Sequence, residues 1–222
     1  MFYVKMIFDT RYEAWEHLSI LIKNKIQDFS DTLVLGILNW GAPVAQKISE
    51  NLNKKCTFVV AKHLTYNNYN IWAITQDWTT VYNKAIIGKL GLTPEEVKNI
   101  QTETFEDVKY EKEKLDLHFK NFSSQQVLVV DDWVVSWLTA AVVWKYAKQN
   151  WAKRIILATP IINSQILNAL NNIYDEIIVA ESIEDRKFWL SKFYLSYYKL
   201  TTEDIYEIIH KLKEKNLFIW VE

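Results

Sequence analysis

Apolar runs of strand length alternate along the chain with stretches in which apolar residues recur at helical spacing, the pattern of a parallel sheet joined by crossover helices. Tyr12 to Phe29 predicts an amphipathic helix, Thr32 to Leu38 a buried strand, Pro43 to Leu52 a helix with Pro in its first turn, and Thr57 to Ala61 a second strand. Together they form a βαβ unit behind a leading helix. Tyr66 to Asn83 is polar, aromatic and irregular, and reads as a hairpin or mobile flap outside the core. Thr93-Pro94-Glu95-Glu96 places an N-cap, a Pro at the first helical position and a capping-box Glu ahead of a charged, solvent-facing helix to about Phe119. Val127 to Val130 is a fully apolar strand that stops at Asp131-Asp132, with a short loop and a helix from about Leu138 to Gln149 behind it. Arg154 to Ala158 predicts the next strand, Ser164 to Asn171 a short helix and Glu176 to Ala180 the last core strand. The aromatic stretch Phe188 to Tyr198 suits a wall of the core or hood, and Thr201 to Asp204 caps a final helix to about Lys215. The expectation is one α/β domain over residues 1–222, with a five-stranded, mainly parallel sheet flanked by helices and right-handed crossovers. Its core spans about 30–182, and a small hood comes from the N-terminal segment, the 63–83 flap and the C-terminal segment.

Composition narrows the function classes. A chain of 222 residues, half of them hydrophobic, can bury a good core. The net charge of −1 and the lack of a long basic run exclude nucleic acid or a membrane surface held by bulk electrostatics, which leaves a small ligand. Cys56 stands alone, so no intramolecular disulfide can form. No apolar run approaches the ~20 residues that span a bilayer, and Met1 to Phe8 is too short and mixed for a signal peptide, so a cytoplasmic location is expected. His17, His63, His118 and His210 are scattered without ligand spacing and read as surface or helix-face residues.

Glycine is where the chain departs from an ordinary domain. Roughly 15 glycines are expected at this length, from a usual share of about 7%. The chain has 4, alongside 10 tryptophans. Four of the tryptophans follow Asn or Asp, at Asn39-Trp40, Asp77-Trp78, Asp132-Trp133 and Asn150-Trp151. Asn-Gly and Asp-Gly are common turn dipeptides because Gly reaches positive φ without steric cost, whereas a bulky residue there is an outlier. Many of the tryptophans therefore read as glycines written in the wrong letter. A genome that assigns UGA to glycine, translated with a table that assigns it to tryptophan, produces that pattern, and a chain rich in Lys, Asn, Ile and Tyr with 3 Arg suits an AT-rich coding sequence. UGG codons at Trp40, Trp133 and Trp137 would contradict this reading. They would leave a truly Trp-rich interaction protein with a blocked pocket.

The candidate chemistry lies in Val127-Leu-Val-Val-Asp-Asp-Trp-Val-Val-Ser-Trp-Leu-Thr139: a strand, two carboxylates, a loop with a hydroxyl, and a helix start with a second hydroxyl. In open parallel sheets ligands bind beyond the carboxyl ends of strands, and a loop entering a helix presents unpaired N–H groups suited to phosphate. Ser136 and Thr139 add hydroxyl donors, and Asp131 and Asp132 are placed for ribose hydroxyls or water-mediated Mg²⁺. Ser136 serves equally as an N-cap. Close approach of backbone to phosphate needs Gly in the loop, where Trp133 and Trp137 stand.

This segment resembles the phosphoribosyl-diphosphate signature of type I phosphoribosyltransferases, in which a strand and two acids precede Gly, two small or apolar residues, Thr, Gly, any residue and Thr. The likeness extends over nearly the whole chain to the "predicted phosphoribosyltransferase" branch of that family. Phe8-Asp-Thr-Arg-Tyr-Glu-Ala-Trp15 resembles its Asp-Arg-x-Glu-Ala-Gly, and Leu35 to Ala45 its Pro-Arg-Gly-Gly-Val-Pro-Val-Ala loop. Ile71 to Trp78 resembles its Ile-Gly-Ala-Ile-x-Glu-Asp-Gly, and Gln149 to Arg154 its Gln-Gly-Ala-Lys. Trp15, Trp40, Trp72, Trp78, Trp133, Trp137 and Trp151 fall on glycines of the pattern, while Trp144, Trp189 and Trp220 have no counterpart.

The resemblance implies a type I phosphoribosyltransferase-like fold and Mg²⁺-dependent transfer of a 5-phosphoribosyl group between phosphoribosyl diphosphate and a base or other nitrogen nucleophile, by positioning and electrostatics. It implies that Trp133, Val134, Val135, Ser136, Trp137 and Thr139 hold the 5-phosphate. Asp131 and Asp132 hold the ribose and meet the metal indirectly, Asp132 also assisting the base. Lys62 with Asn39, Trp40 and Gly41 meets the diphosphate. A homodimer is compatible with this scheme. The chain departs from the pattern at Asn39 and Ala61, both Arg in the family, and at His63 to Asn70, where the family has a Gly/Pro-rich stretch. Two cations near the leaving group are thereby missing, which supports an alternative, a non-catalytic regulatory protein that binds phosphoribosyl diphosphate or a nucleotide. An indole at Trp133 or Trp137 is expected to fill the phosphate space.

Overall fold

The computed structural model describes residues 8–117, 121–184 and 200–219. Helix α1 (Arg11–Lys25) leads into β1 (Thr32–Leu38), α2 (Gly41–Leu52) and β2 (Cys56–Tyr66). A hairpin of β3 (Tyr69–Thr75) and β4 (Thr80–Tyr82) precedes α3 (Lys84–Leu90) and the long α4 (Pro94–Lys114). The second half runs β5 (Gln126–Val130), β6 (Trp133–Val134), α5 (Trp137–Gln149), β7 (Arg154–Asn163), α6 (Ser164–Asn171), β8 (Glu176–Ile183) and α7 (Thr202–Glu214).

The strands form one mixed sheet in the order β4-β3-β2-β1-β5-β7, with β8 paired to β7 and short β6 also on β7. β2, β1, β5, β7 and β8 are mutually parallel, the predicted five-stranded core, and β3 and β4 add antiparallel neighbours. Alternate residues serve opposite faces, as the pleat requires. Val34, Phe58, Leu128 and Ile156 face one cluster with α1, α2, α4 and α7, while Leu35, Val59, Val129 and Leu157 face the other with α5. Both faces are covered, which explains the uninterrupted apolar strands. Capping boxes start α4 at Thr93 and Glu96 and α7 at Thr201 and Asp204.

The 63–83 segment includes the hairpin expected, but that hairpin is part of the core and not outside it. Ile71, Trp72, Ala73 and Ile74 are all buried, so the segment carries strands of its own. β1 pairs with β2 only as far as Val60, whereas β3 pairs with β2 from Ala61 onward. The hairpin therefore overhangs the carboxyl end of β1. Residues 217–219 lie beside the start of β2, where Cys56 N–H donates to Leu217 O at 2.7 Å and Ile219 N–H to Cys56 O at 2.9 Å. The aromatic stretch 188–198 lies outside the described residues.

Candidate functional site

β5 pairs with β1 through Gly36 and Val130 and with β7 through Val130 and Ala158, so the chain leaves β5 at the centre of the sheet. There Asp131, Ser136 and Thr139, with loop residues Trp133, Val134 and Val135, line a cavity of about 230 Å³. Asn39, Trp40 and His63 close it from the other side. Gly41 sets that approach: a Cβ on it would lie 2.7 Å from Val130 O, so only glycine lets α2 begin against the end of β5. Gly41 supports the wall and does not itself line the cavity.

Ser136 occupies the N-cap of α5 in extended conformation but makes no side-chain cap hydrogen bond. Its hydroxyl instead accepts from Asn70 Nδ2 at 3.3 Å. Thr139 Oγ1 lies 3.4 Å from His63 Nδ1. The first turn of α5 thus keeps its orphan N–H groups beside two hydroxyls, an arrangement suited to a phosphoryl group.

The two adjacent acids have separate surroundings. Asp131 lines the cavity, and its carboxylate accepts from the Asp132 N–H at 2.9 Å. Burial, more than the neighbouring Asp132 charge, pushes its pKa well above the usual carboxylate range. Asp132 is fully buried and points away from the cavity. Its carboxylate meets Arg11 Nε at 2.9 Å and accepts from Trp15 Nε1 at 2.8 Å. Arg11 lies 3.6 Å over the Trp40 ring, so the start of α1 locks the acid loop to the opposite wall. The direct ligand contact expected of Asp132 is therefore replaced by a contact to α1.

Lys62 does not reach this cavity. It lines a neighbouring one of about 350 Å³ between β2, α4 and the start of α7, where its ammonium meets Glu111 Oε2 at 3.1 Å. Asn39 borders both cavities and is their link. Trp137 packs against the second core cluster and Trp133 lines the cavity without filling it, unlike the obstruction expected.

The tryptophans divide by fit. Trp78 and Trp151 both sit at φ 66°, in the left-handed region that a bulky residue rarely adopts. Trp72 is fully buried, and its indole N–H has no hydrogen-bond partner among the described residues, an expensive arrangement. Trp40, by contrast, has ordinary helical φ, and the Trp15 indole N–H is bonded.

Sequence reasoning missed His63, Asn70, Arg11 and Glu111. Only Arg11 carried a signal, as the Arg of the Asp-Arg-x-Glu-Ala-Gly resemblance. Among the described residues, no group of three or more His, Cys, Asp or Glu is gathered to cage a metal, and no helix is long and apolar enough to cross a membrane.

No family model and no curated protein matches the chain. Solved structures do. TT1426 from Thermus thermophilus is 16% identical and superposes with a TM-score of 0.76, covering 93% of this chain and 99% of that one. AQ2163 from Aquifex aeolicus is 11% identical over 79% of this chain and 77% of that one, with a TM-score of 0.51. A purine phosphoribosyltransferase from Pyrococcus horikoshii is 13% identical over 76% and 85%, at a TM-score of 0.44 too loose to carry an argument. At such identities the likeness is one of fold: an α/β domain with a mixed sheet flanked by helices.

Proposed function

We propose that the chain, in the form with glycine at positions 15, 40, 72, 78, 133, 137 and 151, transfers a 5-phosphoribosyl group between phosphoribosyl diphosphate and a nitrogenous base. The observation that carries this reading is the cavity at the carboxyl end of β5, where Asp131, Ser136, Thr139 and the first turn of α5 converge. Its volume of about 230 Å³ suits a phosphoryl group better than a whole substrate, given the ~300–1,000 Å³ of small-molecule pockets. The adjoining cavity, joined through Asn39, offers space for the diphosphate end near Lys62. Replacing the Trp40 and Trp133 side chains by hydrogen would widen the passage between them.

Ser136, Thr139 and the α5 N–H groups hold the 5-phosphate, and Asp131 holds a ribose hydroxyl. Asp132 acts as a positioning residue, fixing the loop through Arg11. One carboxylate on the cavity fits Mg²⁺ carried mainly by a ligand's phosphates and water, with Asp131 meeting it indirectly. When bound, Mg²⁺ neutralises charge on the diphosphate. The test is equilibrium binding of phosphoribosyl diphosphate to the seven-glycine chain with and without Mg²⁺. Mg²⁺-dependent binding is expected, and none at millimolar ligand would sink the proposal. The codons at the seven positions provide a separate check.

One observation favours a second reading, a ligand sensor without turnover. Asn39 and Ala61 carry no charge and Lys62 is held by Glu111, which among the described residues leaves Lys114 as the other cation lining the diphosphate end. Binding without diphosphate release in the presence of any base would select it.

A further inference from the structure

We propose that His63 is an anion-binding residue of the cavity, meeting a phosphoryl oxygen opposite Ser136 and Thr139 and standing in for the cations that Asn39 and Ala61 leave out. The inference rests on the reading of the cavity as a phosphate cradle. β2 outlasts β1, so its residues past Val60 overhang the cavity. The pleat sends Lys62 to α4, where Glu111 takes it, and His63 to the opposite face, towards α5. The ring lines the cavity together with Ser136 and Thr139. At 3.4 Å the Nδ1 to Thr139 Oγ1 contact is long, as polar groups awaiting a ligand often are. Asn70, further along the same hairpin, bonds Ser136 and holds the hairpin to the loop. Hydroxyls and backbone N–H groups supply neutral donors, so among the described residues His63 is the side chain lining this cavity that can add positive charge.

The titratable groups around the ring are few. From β5, Asp131 lines the same cavity; from β2 itself, Lys62 points away; from β3 the opposite residue is Ala73; and α5 offers Thr139. The outer edge of the ring stays exposed, while the protein around the rest lowers its pKa by desolvation. The ring is therefore neutral at neutral pH, and a bound dianion draws a proton onto it. Anion affinity then rises as pH falls. Asp131, whose pKa is raised, acts in the same direction when it takes up a proton, so the two must be separated.

Sulfate is the probe, because it stays dianionic where phosphate titrates. Its binding to the chain is followed by the amide signals of residues 135–139 and the ring signals of His63 between about pH 8 and about pH 5.5. The expected result is a rise in sulfate affinity of about tenfold on acidification, the size of one charge-assisted contact, with the ring pKa moving up when sulfate is present. His63→Gln, which keeps a donor but no charge, should bind sulfate weakly and lose the rise. Asp131→Asn should keep it. A rise that survives in His63→Gln and vanishes in Asp131→Asn overturns the role of His63 while leaving the cradle intact. No sulfate response in residues 135–139 at any pH overturns the cradle itself and His63 with it.

Discussion

The two ends of the site are built to different standards. At the end of β5, the hydroxyls of Ser136 and Thr139 and the first turn of α5 are committed to no strong partner, and Ser136 forgoes its cap bond. At the end of β2, Lys62 is tied to Glu111, and Asn39 and Ala61 offer no charge. If the site works as proposed, the cradle at β5 is intact while the leaving-group side lacks charge at Asn39 and Ala61. On the proposed function, affinity for a phosphate ester and stabilisation of a departing diphosphate should be separable, because the groups proposed for them sit on different strands.

The largest effect is expected at Asp132, which holds the cradle in place from behind. Asp132→Asn removes the buried carboxylate that Arg11 meets at 2.9 Å and should destabilise the fold by about 3 kcal/mol, read from chemical denaturation. An unchanged midpoint would remove Asp132 and Arg11 from the framework of the cradle.

Asp131→Asn should act with the opposite sign on stability. Its folded pKa is raised, so ionising it opposes folding from the unfolded value upward, and the loss is complete above the folded pKa. The Asn variant should be more stable than the parent at neutral pH and equal to it below about pH 4. Its rate of phosphoribosyl transfer should fall by about a hundredfold. A parallel loss of stability and activity would make Asp131 a second framework acid.

Smaller changes probe the ends separately. Ser136→Ala should weaken binding of a ribose 5-phosphate about fivefold, the worth of one hydrogen bond, without changing the affinity for diphosphate. Glu111→Gln releases Lys62 and should strengthen diphosphate binding about twofold to threefold, since a partly exposed pair is worth under about 1 kcal/mol. If either variant moves both affinities together, the two ends are one unit.

Much of this was legible in the chain. Strands such as Thr32–Leu38 were plain because both faces are covered, and Thr93 and Thr201 announced their helices through capping chemistry. The loop 131–139 was legible because its acids and hydroxyls are close in sequence. What was not legible depends on contacts across the fold. Asp132 is turned from the cavity towards Arg11, 121 positions earlier, and no local pattern reports that pairing. β2 runs on past Ala61 through polar residues because its outer end overhangs the sheet, so its alternation looked like a loop and His63 like a surface residue. Trp78 and Trp151 were the reverse case: the Asp and Asn before them marked turns, and the positive φ of both bears that out.

Phosphoribosyl transfer is tested most directly by Mg²⁺-dependent release of diphosphate from phosphoribosyl diphosphate by the seven-glycine chain, assayed against a panel of purine and pyrimidine bases. The expected result is base-dependent release that Asp131→Asn suppresses. Bound phosphoribosyl diphosphate with no release for any base would contradict it and leave a sensor built on the same cradle.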